Sequence, residues 1–320
     1  MSILVTGSSG FIGAALCSFF FKKKITFYAL DKKKIVTGQK NFILCNILDK
    51  DKLYSILKKI RPKYILHLAA RTDLHGLSIN DYKENYLGTK NLIECINQIN
   101  SVKRIIFFST LLVNKVGYAP KNLQDYNPDT NYGKSKVMME KIIKKATIKS
   151  DWCIVRPTTI WGPNINNHFA QFIKLIKRGL YFNIANKKTL KNYGYIENTV
   201  FQIFKLIYSE YRFFNKKIYY LADYTPLCLE DWANQISIIY RKKINFCINY
   251  KIVKFFSILG DILQKFKISN FPLNSRRLSN MTTDLIVNVS DLNKVCGKLP
   301  VGLKIATYRF ARSFNNENKL

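Results

Sequence analysis

Acidic residues are scarce in this chain. Twenty Asp and Glu stand against 52 Lys and Arg over 320 residues, a formal net charge of +32. Histidine is scarcer still: His67, His75 and His168 are the only three, and none pairs at metal-ligand spacing, so no structural metal is expected. The seven cysteines (Cys17, Cys45, Cys95, Cys153, Cys228, Cys247, Cys296) are odd in number, widely spaced and free of any Cys-x-x-Cys. That pattern suits buried thiols in a reducing compartment. No apolar run approaches the ~20 residues of a membrane span. Met1 to Phe21 is apolar, but it lacks a basic start and carries glycines at loop spacing, unlike a signal peptide. A cytoplasmic location is the expectation. Internal repeats and low-complexity linkers are absent.

The excess of positive charge permits two readings. Lysines gathered in one stripe would suit nucleic acid or an anionic membrane. Here they run through the whole chain, and Lys, Asn, Ile, Phe and Tyr are enriched together, the signature of an AT-rich coding sequence. The second reading is preferred, and no specific nucleic-acid partner is expected. At this length, with 48% hydrophobic residues, the chain can bury one large core or two unequal ones.

The first half alternates strand and helix. Strands are predicted at 3–5, 25–30, 42–46, 64–69, 104–110 and 152–160. Helices are predicted from the glycine loop to about 24, and at 49–60, 81–97 and about 132–149. Near-continuous apolar strands in βαβ alternation imply a doubly wound parallel sheet. Beyond about Gly162 the pattern loosens, with helices near 167–178 and 230–241 and a strand at 218–222. A helix over 252–266 carries Ile252, Phe255, Phe256, Leu259, Ile262, Leu263 and Phe266 on one broad stripe. Packing on the chain's own core is the preferred reading of that stripe, over a substrate seat or a membrane surface.

Gly7, Gly10 and Gly13 lie between the first strand and the first helix, the context that gives such a triplet meaning. Gly7 permits a tight turn, Gly10 a close approach of backbone N–H groups to a pyrophosphate, and Gly13 close helix–sheet packing. The helix N-terminus adds partial positive charge. Asp31, ending the second strand, stands where a carboxylate binds adenosine ribose hydroxyls, favouring NAD over NADP. Lys32, Lys33 and Lys34 follow it and soften the discrimination. Tyr132 and Lys136 are one helical turn apart, so both leave the same face. An ammonium there is expected to lower the phenol below its usual value of about 10.

With those residues in hand, the chain resembles an extended short-chain dehydrogenase/reductase of the NAD-dependent epimerase/dehydratase type. Thr6-Gly7-Ser8-Ser9-Gly10-Phe11-Ile12-Gly13 is similar to the family's TGxxGFIG, and His67-Leu68-Ala69-Ala70 to its HLAA. Asn85, Gly88, Thr89, Asn91 and Leu92 follow NxxGTxNL; Ser109-Thr110 stands at the family's catalytic Ser/Thr; Tyr132 and Lys136 match YxxxK. Arg156-Pro157 through Trp161-Gly162-Pro163 resembles RPxxVYGP, and 193–198 a later segment, DFxYVxD. The resemblance implies an α/β, Rossmann-type doubly wound parallel sheet with a smaller C-terminal α+β substrate-binding part. The core is expected over 1–163 and the substrate part over 164–320, with about 190–222 returning to the core.

The same resemblance implies Thr110, Tyr132 and Lys136 as catalytic residues. It implies Gly7, Ser9, Gly10, Phe11, Ile12, Gly13, Asp31, Asn46, Ile47, Leu68, Ala69, Ala70, Tyr132, Lys136 and Pro157 as the NAD site, with NADP left open. Arg71, Thr159 and His168 are candidates toward a nucleotide-sugar substrate, and a homodimer through the helices at 81–97 and 132–149 is expected. Three positions depart from the pattern: Asn46 and Asn192 each replace an Asp, and Thr159 replaces an Asn. Leu111 and Leu112 stand where 4,6-dehydratases carry Asp-Glu, which disfavours dehydration. The implied activity is epimerisation or reduction of a nucleotide-linked sugar. A non-catalytic protein holding the dinucleotide as a structural or sensing ligand is the alternative. His67 is expected to pack beneath the cofactor, His75 to lie in a solvent-facing loop, and Arg276 and Arg277 to be either diphosphate ligands or surface charges.

Overall fold

Strands buried on both faces must be apolar throughout, and the first one, β1 (Ile3–Thr6), is Ile-Leu-Val-Thr with all four residues buried. A computed structural model describes residues 2–33, 41–165, 168–185, 187–244, 246–266 and 273–314. The chain divides into two units. The first comprises residues 1–160, 196–222 and 288–300, and the second 161–195, 223–287 and 301–320.

In the first unit, β1 leads through a turn into α1 (Phe11–Lys22), followed by β2 (Phe27–Asp31), β3 (Phe42–Leu44), α2 (Lys50–Ile60), β4 (Tyr64–His67), α3 (Lys83–Ile99), β5 (Arg104–Phe108), α4 (Asn131–Lys145) and β6 (Asp151–Pro157). The strand Lys217–Leu221 completes one seven-stranded sheet in the order Lys217–Leu221, β6, β5, β4, β1, β2, β3. Every pairing in it is parallel. The expected doubly wound sheet is therefore present. Strand order reverses at β1, whose neighbours are β2 and β4, and the crevice outside the carboxyl ends of such strands is where open α/β sheets bind ligands. Leu4, Ile65, Ile105, Phe107, Ile154, Leu92, Ile96, Met139 and Ile143 form the core between this sheet and its helices.

Local chemistry sets the helix ends. Asp49 caps α2 by accepting from the Lys52 amide, and Thr130 caps α4 by accepting from the Gly133 amide at 2.9 Å. The start of α3 is delayed from the expected 81 because Ser78 and Asp81 close a capping box around a short 3-10 turn at Ile79–Tyr82. It runs to Ile99, where Asn100 turns left-handed. The end of α4 falls at Lys145 rather than Lys149: Asn97 on α3 donates to the Thr147 carbonyl and accepts from the Lys149 amide, replacing helical bonds. The expected strand at 152–160 stops at Pro157, and Ile160–Trp161 forms a separate short strand paired with Gly194–Tyr195.

The second unit has an aromatic core. Trp161 packs against Trp232 at 4.9 Å between ring centres, and Phe169 and Phe310 close around Trp232. The Trp232 indole N–H donates to Thr307 at 3.1 Å, pinning the helix Leu229–Ile239 to the helix Leu303–Ser313. The helix expected over 252–266 spans Tyr250–Lys265, and its apolar stripe is not packed on a core. Its buried side is the narrow set Val253, Ser257 and Gly260, against Ile184 and Leu278.

Candidate active site

Residues at the carboxyl ends of β1, β2, β4 and β5 assemble the candidate site. Gly7 takes φ +70°, a left-handed conformation, and a side chain there would strike the Ala69 amide at 2.6 Å. The glycine turn thus lies directly on the Leu68–Ala70 segment after β4. Gly13 is equally constrained, since its missing Cβ would come within 2.2 Å of the Gly7 carbonyl. Gly10 is different: a side chain there would meet the Gly7 carbonyl at 3.4 Å, an ordinary contact. No side chain caps α1, and its first turn carries no acid. Those free amide dipoles, at Phe11 and Ile12 among others, suit an anion. The Ser8 hydroxyl in the same turn is buried and has no partner among the described residues.

Asp31 reaches back from the end of β2 to accept from the Ser9 amide at 3.0 Å and the Lys33 amide at 3.1 Å. The Ser9 hydroxyl donates to the Lys33 carbonyl. Lys34 lies outside the described residues. Asn46 is exposed, and its side-chain oxygen accepts from the Leu48 amide. Ile47 is buried and fills the space that a side chain at Gly88 would need. Pro157, the last residue of β6, and Thr159 just beyond it are half-buried. The side chain of His168 lies outside the described residues.

Thr110, Tyr132 and Lys136 come together. Gly133 brings α4 against the turn that follows Thr110: a Cβ at Gly133 would sit 2.2 Å from the Leu112 carbonyl. A glycine in a helix interior costs about 1 kcal/mol relative to alanine, and this backbone approach explains its presence. Tyr132 is buried, with the Thr110 side chain close enough to favour its ionised form. Thr110 in turn accepts from the Leu112 amide. Lys136 is buried and its Nζ donates to the Phe108 carbonyl at 2.7 Å, two residues before Thr110.

The electrostatics differ from the simple expectation that Lys136 lowers the Tyr132 phenol. Burial pushes that phenol up to about 12, outweighing the lowering influence of the Thr110 side chain, and Tyr82 pushes it the same way. The lysine, directed at the Phe108 carbonyl, has no resolved influence on it. Burial also brings Lys136 down to about 7 against the pull of Glu140. Because this folded-state value lies below the ordinary 10.5, the unfolded chain holds the extra proton between the two values. This lysine therefore makes stability rise with pH across roughly 7 to 10.5. Lys136→Met is expected to flatten that rise without lowering the melting temperature at neutral pH. Thermal unfolding across the same window checks it; an unchanged slope would refute the buried, strained lysine.

Three features were not legible as parts of the site. Glu140, one turn beyond Lys136, accepts both a bidentate ion pair from Arg156 at 2.8 and 2.9 Å and the Ser109 hydroxyl at 2.6 Å. Tyr126 donates to its other side. Tyr82 is wholly buried, with its ring 6.1 Å from that of Tyr132 and the Arg71 guanidinium 5.1 Å above it. Arg71 also pairs with Asp73.

The third is a chain of hydrogen bonds through His67. Thr89 donates to the Asn85 carbonyl, so it accepts from His67 Nε2 at 3.0 Å, and His67 Nδ1 accepts from Thr6 at 2.9 Å. The Thr6 hydroxyl accepts from the Ala69 amide. Asn85 donates to the Ser135 hydroxyl, which donates to the Tyr132 carbonyl. Burial, with Lys136 nearby, holds His67 down at about 3, so it is neutral. His75 is exposed in a loop, as expected.

A parallel sheet with its glycine turn, ribose-side carboxylate and switch-point crevice defines a dinucleotide-binding protein. A model of the NAD dependent epimerase/dehydratase family matches residues 3–221, and the chain belongs to that family. NAD is the cofactor, and the uncapped α1 turn, the unpartnered Ser8 hydroxyl beside it and Asp31 fit it. The N-acetyl-alpha-D-glucosaminyl-diphospho-ditrans,octacis-undecaprenol 4-epimerase of Escherichia coli O157:H7 is 26% identical over 209 residues, covering 62% of this chain and 61% of that one. The UDP-glucose 4-epimerase of Vibrio cholerae is 29% identical over 192 residues, covering 56% and 58%. The chain thus matches about six tenths of the length of either relative. Among solved structures, the UDP-glucose 4-epimerase of Thermotoga maritima superposes with a TM-score of 0.76 at 18% identity, over 99% of this chain and 100% of that one. That likeness speaks for the fold. No helix among the described residues is long and apolar enough to cross a membrane.

Proposed function

We propose that this protein is an NAD-dependent enzyme that epimerises, or reduces and oxidises, a nucleotide-linked sugar. The observation that carries the reading is the meeting of the buried Tyr132 phenol with the Thr110 side chain, with Lys136 tied to the same strand end at Phe108. When bound, NAD supplies the hydride acceptor and donor. The amides of Phe11, Ile12 and Gly13 would hold its pyrophosphate, in the turn that Gly7, Ser9 and Gly10 shape, and Asp31 its adenosine ribose. Asn46, Ile47 and the 68–70 segment line the adenine and ribose groove, and Pro157 borders the nicotinamide. Asp31 favours NAD over NADP, since a carboxylate repels a 2′-phosphate.

Tyr132 exchanges a proton with the sugar hydroxyl at the reacting carbon, and Thr110 hydrogen-bonds the same oxygen, fixing it for transfer. At neutral pH the phenol, held at about 12, is the proton donor of the reductive direction. Lys136, buried beside the same strand end, would hold the nicotinamide ribose. The Escherichia coli and Vibrio cholerae relatives are named as 4-epimerases of diphosphate-linked sugars, which supports chemistry at a ring hydroxyl. Leu111 and Leu112 offer neither acid nor base, so elimination of water is not part of the proposal. Arg71, Thr159 and His168 are assigned to the substrate side. A homodimer through α3 and α4 is supported by the exposed Leu87 and Met138, and a cytoplasmic site by seven free cysteines.

The test is to mix the protein with NAD⁺ or NADH and a panel of UDP-, GDP- and TDP-sugars. A change in nicotinamide absorbance marks net redox; a new stereoisomer without it marks epimerisation. Dinucleotide binding with no sugar converted would overturn the catalytic reading in favour of a structural or sensing role.

A further inference from the structure

We propose that the helix Tyr250–Lys265 docks the protein on an anionic lipid bilayer. The helix is turned inside out relative to a core helix. Its inner stripe is Val253, Ser257 and Gly260, while Ile252, Phe255, Phe256, Ile258, Leu259 and Ile262 face solvent, with Phe266 just beyond its end. Phe255 is 66% exposed and Phe266 65%. At 100° per residue these side chains cover an arc of about 160°. That is too wide for a single neighbouring helix and suits a flat surface.

The charges choose the occupant. Lys251, Lys254 and Lys265 are exposed on the same helix, and its one acid, Asp261, is engaged by the Ser275 amide. Arg241, Lys242 and Lys243, also exposed, precede it in the segment that includes the 60%-exposed Phe246. A second copy of this chain would bring lysines against lysines, on a molecule already carrying +32. A bilayer rich in phosphatidylserine accepts the apolar face among its acyl chains and the lysines among its headgroups. The helix is 16 residues long, so it lies in the interface and does not span.

The experiment is flotation of the full chain with phosphatidylcholine vesicles, with and without about three parts in ten phosphatidylserine. The expected result is binding that strengthens at least about tenfold with phosphatidylserine and weakens with added salt. The double variant Phe255→Ser/Ile262→Ser should bind roughly 100-fold more weakly with an unchanged melting temperature, since both side chains are exposed. Lys251→Gln/Lys254→Gln/Lys265→Gln should lose the phosphatidylserine dependence. Absence of vesicle binding by the parent chain overturns the proposal. Concentration-dependent dimerisation abolished by Phe255→Ser/Ile262→Ser, without vesicle binding, would assign the face to a second copy instead.

Discussion

Tyr132→Phe lowers turnover by roughly 10²–10⁴-fold, the range that a positioned acid–base group contributes, and leaves NAD affinity and the melting temperature near those of the parent. The separation follows from the geometry. The ring is buried beside Tyr82, and phenylalanine fills the same volume, so no cavity opens. The Thr110 hydroxyl keeps its bond from the Leu112 amide when the phenol oxygen goes. Only the oxygen proposed to exchange the proton is lost. Steady-state rates on whichever sugar the panel identifies, beside an NAD⁺ titration, read the two effects apart. A variant that retains full turnover places the chemistry elsewhere in the molecule.

Glu140→Ala is expected to be the most destabilising single change near the site, by about 3–5 kcal/mol. Arg156 and Glu140 are both wholly buried, and the guanidinium spends its Nε and one Nη on the carboxylate. Removing the carboxylate strands that cation in the core and leaves the Ser109 and Tyr126 hydroxyls without their acceptor. It also removes the one charge that holds Lys136 up, so the lysine should titrate lower still. Replacing both partners with apolar residues of similar volume should cost less than either single change, because no charge is then left alone. Urea unfolding of the two single variants and the double variant tests this. Equal stability of Glu140→Ala and the parent would mean the pair is not formed in solution.

Much of the site was legible because its signals are local. Gly7, Gly10 and Gly13 sit in one turn, Asp31 ends the next strand, and Tyr132 and Lys136 share a helical face. Contacts made across the fold were not legible. Glu140 and Arg156 are 16 residues apart on a helix and a strand, and only the assembled sheet brings them together. The end of α4 depends on Asn97, about fifty residues upstream. The helix Tyr250–Lys265 teaches the same lesson in reverse: a periodic pattern says that a face is apolar, not what lies against it. The lysine's expected effect on the phenol failed for a related reason. Spacing fixes the face that a side chain leaves from, whereas burial and the Phe108 carbonyl decide where its charge acts.

The run of bonds from Thr6 through His67, Thr89, Asn85 and Ser135 to Tyr132 has a fixed polarity, with every hydrogen already committed. Its single ionisable member stays neutral until acidity nears its own value of about 3. The scaffold is thus silent across the working pH range. An inflection in a pH–rate profile near neutrality is then expected from groups other than His67, and the glycine turn and the start of α4 keep the bonds of this run while those groups titrate.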